Sequence, residues 1–151
     1  MENNSIDKIY LHKIDVNNSE EALRLIANEL YLNGYVKEEY SESVVNRESI
    51  YPTGLPSTMP AIAIPHTDYS LVNKTAIAIA TLKNPVRFNN MEKIDEEVNV
   101  SIILMLAIAE PKGQIEMLQK IVSLIADEHL RKQIYSTVNE KELEKIISTI
   151  I

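Results

Sequence analysis

Val98-Asn99-Val100-Ser101-Ile102-Ile103-Leu104-Met105-Leu106 decides the fold. Its second half is apolar without a break, which suits a central strand covered on both faces rather than one with a wet side. Two more β-like runs precede it. Thr75-Ala76-Ile77-Ala78-Ile79-Ala80-Thr81-Leu82 is one, and Ala61-Ile62-Ala63-Ile64 is a short buried strand that stops at Pro65-His66. Asn84-Pro85 and Asn89-Asn90 are read as the turns between the later runs.

Helical patterns flank these strands. A short strand over 10–14 comes first. Asn18, with Glu21 three residues on, then reads as a helix start. Ala22, Leu23, Ile26, Ala27 and Leu30 recur at helical spacing, and Gly34 supplies a stop. A second helix is expected over 36 to about 48, with Val36, Tyr40, Val44 and Val45 inward and Glu38, Glu39 and Glu42 outward. After the strands, Ile115, Leu118, Ile121, Val122 and Ile125 fit one helix face. Another short helix is expected over 128 to about 135. Asn139-Glu140-Lys141-Glu142 repeats the cap-plus-Glu signature ahead of Leu143, Ile146 and Ile147. Helices before and after a block of strands indicate an α/β or α+β sandwich.

The chain has 151 residues, 45% of them hydrophobic, a formal net charge of −7 and no cysteine. That length predicts one domain spanning 1–151, large enough to fold without staples. The lack of cysteine excludes disulfides, a thiolate metal site and a cysteine nucleophile within these residues. The acidic balance argues against a nucleic-acid or anionic-membrane partner and leaves room for a basic protein face. The polar start shows no signal-peptide pattern, and the longest apolar run, 102–109, is too short to span a bilayer. A soluble, cytoplasmic domain without direct membrane insertion is expected.

Residues 51–60 hold three prolines and Gly54, an apolar loop that should be packed rather than floppy. His66 follows directly at a strand end, where ligands and reactive groups collect in α/β folds. It reads either as a nucleophile or general base, or as a satisfied structural histidine. Arg47, at the end of the second helix, reads as a solvated C-terminal arginine or as an anion clamp. His12 sits in an edge-like strand, and His129 lies among Asp127, Glu128 and Arg131 on what reads as a polar helix surface. Glu92, Asp95, Glu96 and Glu97 read as a solvated loop. Ser57, Ser70 and Thr67 match no nucleophile elbow. Met59, Met91, Met105 and Met117 read as core filler. With only three glycines, no phosphate-binding glycine motif is present.

Arg47-Glu48-x-x-Tyr51-Pro52-Thr53-x-Leu55 followed by Ala61-Ile62-Ala63-Ile64-Pro65-His66-Thr67 resembles the IIA component of the sugar phosphotransferase system. The branch is the fructose/mannitol type, which includes nitrogen-regulatory paralogues. The loop wording and Ile64-Pro65-His66-Thr67-Asp68 look most like the galactitol-specific IIA. The resemblance covers nearly the whole chain. It implies a mixed β-sheet flanked by helices on both sides. It also implies that His66 takes a phosphoryl group from the phosphocarrier HPr, as a tele-phosphohistidine, and passes it to a cysteine of an EIIB component. The sugar or polyol then enters through the membrane EIIC. No cofactor or metal is expected.

On that reading Arg47 clamps the phosphoryl oxygens, with the Thr67 hydroxyl and the Thr67 and Asp68 N–H groups as further donors. Mannitol- and fructose-type members usually carry a second histidine at the start of the helix after the last long strand; here Gln114 stands there. Gln114 can donate a hydrogen bond but cannot carry a proton charge, and it also reads as a plain first-turn residue. A regulatory paralogue, whose phosphorylation state gates binding to another protein, and a silent interaction domain are the competing readings. The absence of cysteine points to a free-standing IIA whose receiving thiol lies on another polypeptide.

Overall fold

β3 (Ala76–Asn89) and β4 (Glu97–Ala107) form an antiparallel pair at the centre of a four-stranded sheet. The computed structural model describes residues 6–151. β1 (Asp7–Ile14) runs parallel to β3, and β2 (Ala61–Ala63) runs parallel to β4, so the spatial order is β1-β3-β4-β2. The sheet is therefore mixed, as the resemblance implied.

Side chains alternate between the two faces of a strand, and the central strands use that alternation to sort bulk. Ala76, Ala78 and Ala80 of β3 meet α1 (Ser19–Leu32) and α2 (Tyr40–Ile50). Small residues there leave room for Leu23, Ile26, Leu30 and the ring of Tyr40, all buried. Ile77 and Ile79 point the other way. With Ile102 and Leu104 they meet α3 (Ile115–Ala126), α4 (Glu128–Tyr135) and α5 (Glu140–Ser148). Helices cover both faces, and β4 is buried on both, as its unbroken apolar run requires.

The caps form where the sequence places them. Asn18 Oδ1 accepts the Glu21 N–H at 2.9 Å, and Asn139 Oδ1 accepts the Glu142 N–H at 2.8 Å. Gly34, at φ +82°, makes the left-handed exit from α1.

Several expectations are corrected. The second helix begins at Tyr40, because Val36 pairs with Val72 in an isolated antiparallel bridge and Lys37 donates to the Leu71 carbonyl. Asn84-Pro85 is not a turn. β3 runs through it as a bulge between the Thr81–Ile102 and Val86–Val100 pairs, with exposed Pro85 needing no donor. The chain reverses at Asn90 instead, whose Oδ1 accepts the Glu92 N–H at 2.7 Å, and Glu97 already belongs to β4. Ile115 and Val122 turn outward from α3, while Met117, Ile121 and Leu124 face the sheet. Met105 and Met117 are buried, but Met59 and Met91 are exposed.

Arg131 is only 3% exposed, so it does not belong to a polar surface. Its guanidinium donates to the carbonyls of Pro60, Thr58 and Ile125 and to the Thr58 hydroxyl. That fork fastens the proline-rich loop to α4, and Met59-Pro60 within the loop is a cis peptide.

Candidate functional site

β2 continues past Ala63 as an irregular extension that carries His66 to the end of β4. The Leu106 N–H donates to the Pro65 carbonyl at 3.0 Å, and His66 and Leu106 form an isolated parallel bridge. The His66 ring is half-buried, and its Nδ1 lies 2.9 Å from the Ile64 carbonyl oxygen. A carbonyl only accepts, so Nδ1 carries the proton. In the neutral ring the lone pair is then on Nε2.

α2 presents Tyr40, Ser43 and Arg47 at three- and four-residue intervals, which places them on one face. The Tyr40 hydroxyl donates to the Leu106 carbonyl at 2.8 Å and anchors the helix against the end of β4. Burial pushes that phenol's pKa well up, so it stays protonated and keeps donating. Ser43 and Arg47 reach the space beside His66. A cavity of about 680 Å³ is lined by Ser43, Arg47, His66, Thr67, Tyr69 and Leu106, among others. A second, of about 250 Å³, also lies against Arg47 and His66 and is lined further by Tyr51, Pro52, Thr53, Met91 and Ile94.

The Arg47 guanidinium sits 5.1 Å from the centre of the Tyr51 ring, within cation–π range. Asp68 is fully exposed, and its carboxyl is held below the usual range by hydrogen bonds from Ser70, with a smaller contribution from the Arg47 charge. Thr67 Oγ1 lies 2.5 Å from Ser43 Oγ. A phosphoryl-sized anion in the larger cavity would meet a cation, two hydroxyls and an unprotonated imidazole nitrogen.

Glu48 works on the other side of Arg47. Its carboxylate accepts the Thr53 N–H at 2.7 Å and the Thr53 hydroxyl at 2.8 Å. Burial raises its pKa, and the two Thr53 bonds partly offset the rise. The adjacent pair thus splits its tasks: Arg47 faces the site and Glu48 fastens the loop.

Of the residues singled out in the sequence, His66, Arg47 and Thr67 converge on one cavity. Gln114 ends a 3₁₀ turn, Pro111–Gln114, ahead of α3. Pro111 and Leu118 on either side of it line the larger cavity, but Gln114 is not in that lining. His12 bonds the Thr137 carbonyl, and His129 is exposed on α4. Ser43 escaped sequence reasoning, while Tyr40 was read only as an inward helix residue and Tyr51 only as part of a motif. The available signal for Ser43 was its position one helical turn before Arg47. Among the described residues, no group of three or more histidine, aspartate or glutamate side chains is placed to hold a metal ion.

Residues 3–150 match the family model described as the phosphoenolpyruvate-dependent sugar phosphotransferase system, EIIA 2. The chain belongs to this EIIA family.

Among EIIA relatives, the galactitol-specific EIIA component of Escherichia coli K12 is 31% identical over 99 residues, covering 66% of this chain. The match spans 65% of that relative's own length. The transcriptional regulator ManR of Bacillus subtilis is 40% identical over 83 residues, 55% of this chain and 11% of ManR. The EIIA fold itself matches the mannitol IIA of E. coli, solved in complex with phosphorylated mannitol IIB. That likeness has a TM-score of 0.74 at 23% identity and covers 93% of this chain and 94% of the other.

Proposed function

We propose that His66 accepts a phosphoryl group on Nε2 from phospho-HPr and passes it to a cysteine of an EIIB component, in the uptake of a galactitol-like polyol. The observation that carries this reading is the Ile64 carbonyl on Nδ1, which leaves Nε2 as the free nucleophile in the cavity beside Arg47. The galactitol-specific relative supports the substrate class, and the mannitol IIA–IIB complex supports the acceptor. The reading treats residues 1–151 as one EIIA domain.

The transfer is a displacement at phosphorus. Nε2 attacks in line, the Nε2–P bond forms, and the bond to HPr breaks. Positive charge that develops on the ring is stabilised at Nδ1–H by the Ile64 carbonyl. Charge on the equatorial oxygens meets the Arg47 fork and a hydroxyl of the Ser43–Thr67 pair. In the second step a cysteine thiolate attacks the same phosphorus. The S–P bond forms, Nε2 leaves, and the ring returns to neutral. No cysteine occurs among these 151 residues, so the thiol lies outside them. Gln114 would act only as a late donor, brought in from the start of α3.

Incubation with phospho-HPr and then with an EIIB component tests both steps. Label should appear on the wild type and on His12→Ala and His129→Ala, but not on His66→Ala, and should then move to EIIB. Stable labelling of His66→Ala would sink the assignment. The likeness to ManR favours a second reading, in which phosphorylation of the same histidine controls binding to another protein. Label that enters His66 but never passes to an EIIB component would select it.

A further inference from the structure

A chain of contacts runs from the end of α2 to the His66 ring. Glu48 accepts from the Thr53 N–H and hydroxyl. The Thr53 carbonyl accepts the Ile64 N–H at 3.2 Å. The Ile64 carbonyl accepts from His66 Nδ1 at 2.9 Å. We infer that Glu48 and Thr53 are positioning residues that hold the Ile64 carbonyl in place and so keep the imidazole proton on Nδ1. The consequence for transfer rests on the phosphoryl chemistry proposed for Nε2.

The Ile64 side chain packs partly buried against the core beneath α3, α4 and α5, so its carbonyl direction is a matter of the backbone bonds beside it. The regular part of β2 ends at Ala63, and Pro65 has no N–H to donate. Its carbonyl direction is set by two flanking bonds: Ile64 N–H to Thr53, and Leu106 N–H to the Pro65 carbonyl. The second comes from the rigid centre of the sheet. The first comes from a loop and is only as firm as the loop is. Thr53 is 3% exposed, and Glu48 takes both its N–H and its hydroxyl. A buried N–H or hydroxyl left without a partner is costly, so the loop has no cheap alternative position while Glu48 is present. One residue later Gly54 donates to the Asn89 carbonyl, and Met91 donates back to Gly54.

Glu48 itself does not act on the substrate. Thr53 occupies both its oxygens, and the larger cavity is lined by Arg47 and not by Glu48. Its effect reaches His66 through the backbone. A ring freed from the Ile64 carbonyl would spread its proton over both nitrogens, and molecules protonated on Nε2 could not attack.

Nitrogen-15 NMR of the imidazole reads the tautomer directly and needs no phosphoryl donor. The wild type should show the Nδ1–H form predominating. Glu48→Gln and Thr53→Val should shift population toward Nε2–H. They should also slow phosphorylation by phospho-HPr about tenfold, the lower range for loss of an orienting partner, with the apparent KM for phospho-HPr little changed. Thr53→Ser keeps both bonds and should restore the wild-type spectrum and rate. If Glu48→Gln does not fold, Thr53→Val, nearly the same size, carries the test. Unchanged tautomer populations in either folded variant would overturn the inference. If the wild type shows the Nδ1–H form yet takes no label, the phosphoryl reading fails and the positioning of the ring stands.

Discussion

The hydroxyl oxygens of Ser43 and Thr67 lie 2.5 Å apart, joining α2 to the segment that follows His66. One O–H is spent between them and the other can turn into the cavity. A hydrogen bond to a charged group contributes about 1.5–3 kcal/mol, so loss of the donor should slow transfer roughly 10–100-fold. Ser43→Ala and Thr67→Val should each have a smaller effect, because the surviving hydroxyl is released to donate. The double variant should show the full loss. Initial rates of labelling from phospho-HPr check this, and simple additivity of the two single effects would count against a shared donor.

Arg47 is exposed, and among the described residues its cation–π partner is Tyr51, so its removal should leave the fold intact. Arg47→Ala should slow phosphoryl transfer roughly 10²–10³-fold, the range for loss of one preorganised charge-stabilising donor. Arg47→Lys should fall between, since an ammonium lacks the planar fork. Tyr51→Ala should cost only a few-fold, in line with about 0.5–1 kcal/mol for an exposed cation–π contact. Equal rates for wild type and Arg47→Ala would remove Arg47 from the site.

Gly54 is required by close approach rather than by its φ angle. A Cβ there would stand 2.7 Å from the Asn89 carbonyl oxygen and 3.0 Å from Phe88 Cβ. Gly54→Ala should therefore destabilise by about 1–3 kcal/mol, a loss of roughly 2–12 °C in Tm. Gly113 faces open space, and Gly113→Ala should melt at or slightly above the wild-type temperature. Thermal melts monitored by circular dichroism compare the two.

Asp7 pairs with Lys74 at 3.0 Å and accepts from Tyr35 at 3.1 Å, and these partners, Lys74 foremost, hold its carboxyl below the usual 3.8. A depressed carboxyl contributes stability above its unfolded pKa and loses it as pH falls through the folded value. Asp7→Asn should thus lower Tm slightly at pH 7 and make no difference well below pH 3.8. The pair is exposed, so the effect should be small and should shrink in high salt. A difference that widens on acidification would show the sign to be wrong.

What could be read from the sequence follows from range. Val98 to Leu106 revealed a strand covered on both faces because burial on both sides leaves a continuous apolar run in one segment. His66 stood out because a strand end and a proline flank it directly. Glu48 and Thr53 were visible only as letters of a motif, since five residues of separation say nothing of a carboxylate folding back on a loop. Arg131 read as surface because Asp127, Glu128 and His129 stand beside it in the sequence. Its acceptors are carbonyls and one hydroxyl, and those at Thr58 and Pro60 lie some seventy residues away in the chain. Asn84-Pro85 carries a turn signal that the sheet absorbs as a bulge, since pairing resumes beyond it at Val86.

β2 is the last strand on its side of the sheet and is three residues long. Its outer edge is not bare. Gly54 bridges Ala63, Leu55 donates to the Ile62 carbonyl, and Ile64 donates to Thr53. The loop that borders His66 therefore doubles as a guard strand, occupying backbone groups that would otherwise invite another chain to pair. Loosening that loop would expose the chain to self-association, so variants at Thr53 should be judged by their tendency to aggregate as much as by the proposed transfer rates.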